Sequence, residues 1–114
     1  MEFACKKFNL DEIVRCSLNL TKADFKILQF LMKNSSKRID TNFIASNLDL
    51  DLSTVQRSLK KMHQSEIVRR SQINLKFGGY SYAYCICDKK SIKDKIKAII
   101  NNWVEKFNTE INKW

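Results

Sequence analysis

The segment Leu52–Gln64 reads LSTVQRSLKKMHQ and divides cleanly between the two faces of a helix. Val55, Leu59 and Met62 recur at steps of four and three, the spacing that stacks side chains along one side of an α-helix. Ser53, Thr54, Gln56, Arg57, Lys60 and Lys61 fall outside that stripe, so the face left to water is hydrogen-bonding and cationic. A DNA major groove is about 12 Å wide, admits one helix, and displays base edges that Arg and Gln pair with in bidentate fashion. Gln56 and Arg57 are therefore candidate base readers. Ser53, Thr54, Lys60 and Lys61 suit phosphates, which fix register without reading sequence. The plain alternative is an ordinary solvated helix face.

The neighbouring segments give this helix a setting. Upstream, Asp40 or Thr41 offers an N-cap to a short helix bearing Phe43, Ile44 and Leu48, and Asp51 or Ser53 caps the next. Two helices joined by about four residues make a helix-turn-helix candidate. Further upstream, Thr21 followed by Asp24 forms a capping box with Asp in place of Glu. It opens a helix over Lys22–Lys33 with Phe25, Leu28, Leu31 and Met32 at helical spacing. Asp11 to Leu18 reads as a short first helix carrying Ile13, Val14 and Leu18. Downstream, Ile67 to Ile73 is mostly β-branched or basic, and Tyr80 to Cys87 alternates tyrosines with small residues. The adjacent Gly78 and Gly79, the only glycines, make the pair a hairpin or wing. A cap at Ser91 then opens a long amphipathic helix of roughly 35 Å. The expected fold class is mainly α with a small β-hairpin, an α+β winged helix-turn-helix domain followed by a long C-terminal helix.

Composition fits a folded binding protein. The 114 residues are 44% hydrophobic and 29% charged, a balance that folds into one hydrophobic core. Lys and Arg number 21 against 12 Asp and Glu, a formal net charge of +9 that a polyanion would feel. The excess is concentrated, with eleven basic against three acidic residues between Arg57 and Lys97. Arg69, Arg70 and Lys76, with Tyr80 beside them, would place the hairpin on the DNA backbone or minor groove, and Thr41 joins them as a backbone contact. A hairpin whose charges merely protect an edge strand is the alternative reading.

The order of helices, the stretch STVQRSLKKM, the following IVRRS and a wing containing FGGYSYAY together resemble winged helix regulators of the MarR and TrmB type, over roughly residues 20–87. The resemblance implies that Thr54, Gln56, Arg57 and Lys60 enter the major groove while Arg69, Arg70 and Lys76 touch the flanking DNA. One short helix precedes the domain and one helix follows it, fewer than larger MarR proteins carry, and no effector is implied. A small-molecule or redox effector has no residue pattern to support it.

In the C-terminal helix, Ile92, Ile96, Ile99, Trp103, Phe107, Ile111 and Trp114 step by three and four like a coiled-coil seam. Ile13, Val14, Ile96, Ile99, Ile100, Trp103, Phe107, Ile111 and Trp114 are the expected homodimer interface; folding back onto the domain is the alternative. The expected organisation is residues 1–20 as an interface helix, 21–88 as the DNA-binding domain and 89–114 as the dimerisation helix. A dimer would set two reading helices one DNA turn, about 34 Å, apart.

Other readings find less support. Cys85 and Cys87 lie two apart on a strand and share a face. With Cys5 and Cys16 they admit a metal or thiol-sensing site, but C-x-C differs from the C-x₂-C zinc knuckle, and burial as small hydrophobes is the expectation. His63, the only histidine, reads as a surface residue or phosphate neighbour. One histidine and no phosphate-cradling loop leave little for catalysis, so no enzyme, cofactor or metal is expected. RNA binding is disfavoured because the A-form major groove excludes a helix. A winged helix that docks on the transcription or translation machinery is the main alternative, which an apolar outward face on Leu52–Gln64 would favour. With no signal peptide and no apolar run long enough to span a membrane, a cytoplasmic location is expected.

Overall fold

A computed structural model describes residues 4–114. In chain order the elements are α1 (Leu10–Leu18), α2 (Lys22–Lys33), β1 (Ile39–Asp40), α3 (Thr41–Leu48), α4 (Leu52–Gln64), β2 (Val68–Asn74), β3 (Tyr80–Ile86) and α5 (Lys89–Asn112). They fall into two compact units, one of Thr21–Lys89 and the other of the residues up to Leu20 together with Lys90–Trp114.

Local chemistry sets the helix boundaries of the first unit. The Thr21 hydroxyl accepts from the Asp24 N–H at 3.1 Å and the Asp24 carboxylate accepts from the Thr21 N–H at 2.9 Å, completing the capping box that starts α2. The Asp40 carboxylate accepts from the Asn42 N–H at 2.6 Å and starts α3. In the turn between α3 and α4, Asp49 takes a left-handed conformation at φ 52°, and the Leu50 N–H donates to the Ala45 carbonyl at 3.0 Å. Asp tolerates this region better than most residues, so the turn forms without glycine.

The core then closes around α4. Val55, Leu59 and Met62 are completely buried, as are Ile27 of α2 and Ile44 of α3, while Leu28, Leu31, Ile67 and Val68 keep only 1% exposure each. Burying a side chain of this kind stabilises by about 1.5–3 kcal/mol. The sheet has the order β1-β3-β2, all antiparallel, with β2 and β3 in register from Val68 opposite Ile86 to Asn74 opposite Tyr80.

Three details depart from the sequence reading. The hairpin becomes a three-stranded sheet, because Ile39 and Asp40 pair with Tyr84 and Ala83. Two residues carry no periodicity from which a strand could be recognised. Phe43 is 55% exposed with its ring 6.4 Å from that of Phe30, since Ile44 and Ala45 supply the inward face of α3. Finally, α5 begins at Lys89, directly after Asp88, and Ser91 lies inside it and does not cap it.

One tertiary link was not visible in the pattern. Lys61 of α4 donates to the Asp24 carboxylate of α2 at 2.6 Å, with only 3% of the Asp24 side chain exposed. Burial pushes the Asp24 carboxyl up, but hydrogen bonds from Lys61, Ser58 and the Thr21 backbone, with the charge of Lys61, hold it below its ordinary 3.8. The folded protein therefore keeps this carboxylate at pH values where the unfolded chain already binds a proton. The stabilisation is full above about pH 5 and is lost as pH falls through the depressed value. Asp24→Asn is expected to lower stability by about 1–3 kcal/mol near neutral pH. In urea melts the gap between wild type and variant should narrow below pH 3.8; a gap that does not change with pH would refute this assignment.

Candidate nucleic-acid interface

With its apolar stripe turned inward, α4 presents the other face to water. Ser53, Gln56, Arg57 and Lys60 are exposed, and Thr54 and Lys61 are half-buried. Their polar ends are not equally available. Lys61 is held by Asp24, and the Ser53 hydroxyl donates to the Asp51 carboxylate. The Asp51 carboxyl lies below its ordinary value chiefly because of that bond. Arg57 approaches the Thr54 hydroxyl at 3.4 Å, an exposed and weak contact that leaves the guanidinium projecting. Ser58, unassigned by the sequence reading, is buried against Asp24.

The wing stands beside this face. The register puts Arg70, Gln72 and Asn74 opposite Tyr84, Tyr82 and Tyr80. The three tyrosines form an edge-to-face ladder, with centroids 5.3 Å apart for Tyr80 and Tyr82 and 6.5 Å for Tyr82 and Tyr84. The Arg70 guanidinium lies 4.3 Å from the Tyr82 ring centroid, a cation–π contact that restrains a long side chain while leaving its charge exposed. Arg69 and Lys76 are exposed as well. Between α4 and the wing runs an open groove of about 590 Å³. Gln56 and Lys60 line one wall, and Arg70, Tyr80 and Tyr82 the other. Thr41 reaches the same groove, but its hydroxyl donates to the Tyr82 carbonyl at 3.3 Å and ties the head of α3 to the sheet.

The structure thus brings together Gln56, Lys60, Arg70 and Tyr80, leaves Arg69 and Lys76 exposed, keeps Arg57 exposed with only a weak contact to Thr54, and engages Ser53, Thr41 and Lys61 with protein partners. The sequence reading missed Tyr82 and Tyr84. Their period-two spacing with Tyr80 was the available signal, since alternate strand residues share a face.

The remaining candidates are simply placed. All four cysteines are free thiols, with Cys5 and Cys16 exposed and Cys85 and Cys87 half-buried, so the expected full burial of the latter pair is only partly realised. Among the described residues no cluster of three or more His, Cys, Asp or Glu side chains is arranged to hold a metal, and no helix is long and apolar enough to cross a membrane. His63 is half-buried, with its Nδ1 enclosed and lacking a hydrogen-bond partner.

In the second unit, Ile92 is the one buried residue of the 24-residue α5. Ile99, Ile100, Trp103, Val104, Phe107 and Ile111 are each between 37% and 62% exposed, and Trp114 is wholly exposed. Trp103 and Phe107 stack on one another at 6.1 Å with planes 6° apart. Ile13, Val14 and Leu18 of α1 are half-buried, as is Ile96 of α5.

Comparison with known proteins agrees with this architecture. A possible transcriptional regulator from Methanosarcina mazei is 42% identical, with a TM-score of 0.93 over all of this chain and 95% of that one. An uncharacterised protein of Methanocaldococcus jannaschii is 33% identical over 93% of this chain and 84% of its own length. A mutant of MepR from S. aureus, solved bound to an oligodeoxyribonucleotide, shares the fold at 16% identity and a TM-score of 0.59, over 92% of this chain and 73% of that one. The expected winged helix-turn-helix fold, of the kind found in MarR-type regulators, is therefore present. The profile of the DnaD N-terminal domain matches residues 8–107, nearly the whole chain, and the protein belongs to that family.

Proposed function

We propose that the protein is a transcriptional regulator that binds double-stranded DNA as a homodimer, with α4 in the major groove and the β2–β3 wing on the flanking backbone and minor groove. The observation that carries the reading is the shared groove. Gln56 and Lys60 of α4 and Arg70 and Tyr80 of the wing line one open channel, so a polar, cationic helix and a basic hairpin serve the same surface. Apart from Leu52 at its first position, which is exposed and lines the groove, α4 turns polar and cationic side chains outward and lacks the broad apolar face that would suit docking on another protein. The relative described as a possible transcriptional regulator and the MepR mutant bound to an oligodeoxyribonucleotide add support from outside the chain.

On this reading Thr54, Gln56, Arg57 and Lys60 take base edges, with Arg57 the strongest reader because its guanidinium matches two acceptors of guanine. Arg69, Arg70, Lys76 and Tyr80 hold the backbone. Thr41, which lines the groove, and Ser53 and Lys61 of α4 are the further backbone contacts of this reading, although their polar ends are already occupied within the protein. The exposed apolar stripe of α5 is the dimer seam, joined by Ile13 and Val14 of α1. A helix with this much apolar surface in water gains most from a second copy of itself. The proposed organisation is that of the sequence reading, with residues 21–88 binding DNA and the flanking helices dimerising, in the cytoplasm and without a catalytic step.

Binding to duplex DNA should weaken steeply with salt, with a log–log slope of about 6 to 10 for a dimer, close to one per phosphate contacted. Affinity that is absent, or indifferent to salt, would overturn the reading. In selections from random duplexes, Arg57→Ala should relax preference at one position per half-site at a cost of about 1–3 kcal/mol, while Lys76→Ala should weaken all sequences alike. Identical behaviour of the two variants would remove α4 from the major groove. Trp103→Ala combined with Phe107→Ala should raise the dimer dissociation constant by roughly thirtyfold or more, as for a paired interface hot spot. An unchanged sedimentation profile would place the seam elsewhere.

A further inference from the structure

Phe77 is 97% exposed, more than any other large apolar residue of the Thr21–Lys89 unit. It does not sit on a loose loop. The Gly78 N–H donates to the Leu75 carbonyl at 3.2 Å and the Leu75 N–H to the Gly79 carbonyl at 3.1 Å, closing a tight turn with Lys76 and Phe77 at its two corners. Gly78 at φ 96° and Gly79 at φ 79° hold the positive dihedrals this turn demands. A side chain at Gly78 would meet nothing within 4 Å, so the tip is slim on the side beside the ring. The hairpin therefore ends in a fixed, narrow point that carries one aromatic ring and, next to it, one cation.

Its surroundings select the occupant. Between Ile67 and Cys87 the sequence holds Arg69, Arg70 and Lys76 and no acidic residue, so the whole hairpin favours a polyanion. A protein partner would need about 800 Å² of complementary surface from each side, far more than a four-residue tip presents. A DNA minor groove, by contrast, is about 6 Å wide, lined by phosphates on both rims, and admits a single apolar side chain between base steps.

Resting on the DNA-binding reading above, we infer that Phe77 is an apolar wedge: it enters the minor groove beside the α4 site, part-unstacks one base step in each half-site and bends the duplex. Lys76 anchors the adjoining phosphates while the ring makes the intrusion. Sequence preference then arises at positions no polar side chain touches, because pyrimidine–purine steps open more easily than others.

The test uses the full chain and duplexes recovered by selection. Donor and acceptor dyes at the duplex ends report bending, and 2-aminopurine placed in turn at each step of the flanking minor groove reports unstacking. Wild type should bend the duplex by roughly 20–90° and raise the fluorescence of one step per half-site. Phe77→Ala should abolish both signals and keep the α4 sequence preference and the salt slope, and Phe77→Leu should restore much of the bend. Because the side chain is exposed, both variants should melt at the wild-type temperature. If wild type and Phe77→Ala bind the same duplex with the same bend and no step brightens, the wedge is wrong while the DNA-binding reading stands, and the tip is left to a protein partner. If no duplex is bound at all, both fall together.

Discussion

The outward chemistry of α4 depends on how completely its inward face is buried. Val55, Leu59 and Met62 leave no surface to water, packed in one core with residues of α2, α3 and the start of β2. A helix seated this firmly cannot roll, because turning any of the three into solvent would expose apolar area worth about 1.5–3 kcal/mol per side chain. Asp24 fixes the seat from the side. The same carboxylate that caps α2 also grips Lys61 and Ser58 on α4, so the start of one helix and the rotation of another share a group. Gln56, Arg57 and Lys60 point outward because their neighbours on the helix have no freedom to do so.

What was legible in the sequence follows from this division. Periodicity placed α2 and α4 at their observed limits, with a capping box acting beside the apolar stripe in α2, whereas the Asp51 side chain makes no capping bond to α4 and the stripe alone marks that helix. The paired glycines located the wing. Two kinds of feature stayed hidden. Very short elements such as β1 have no period, and α5 starts at Lys89 where Ser91 offered the more familiar cap. Contacts between residues far apart in sequence, such as Asp24 with Lys61 or Thr41 with the Tyr82 carbonyl, cannot be read from spacing. The sequence thus showed which helix and which hairpin carry the candidate side chains but not how available each is, since Thr41, Ser53 and Lys61 are turned to partners within the protein and Arg57 makes a weak contact with Thr54.

Rigidity is distributed to match. The tyrosine ladder and the Arg70 contact stiffen the wing without burying its charges. An arginine held over a ring has less conformational entropy left to lose when its charge is engaged. The stripe on α5 is different in kind, an apolar surface whose Trp103 and Phe107 rings already stack on one another and need only a complementary surface.

The strand order has a consequence for how copies of the chain meet one another. With β3 in the centre, β2 offers its outer edge to solvent, and an open edge of this sort invites strand-by-strand growth into fibres. Here that edge carries exposed Arg69 and Arg70, and a second copy laid against it would bring guanidinium against guanidinium. Like charges at such an edge disfavour sheet-to-sheet pairing.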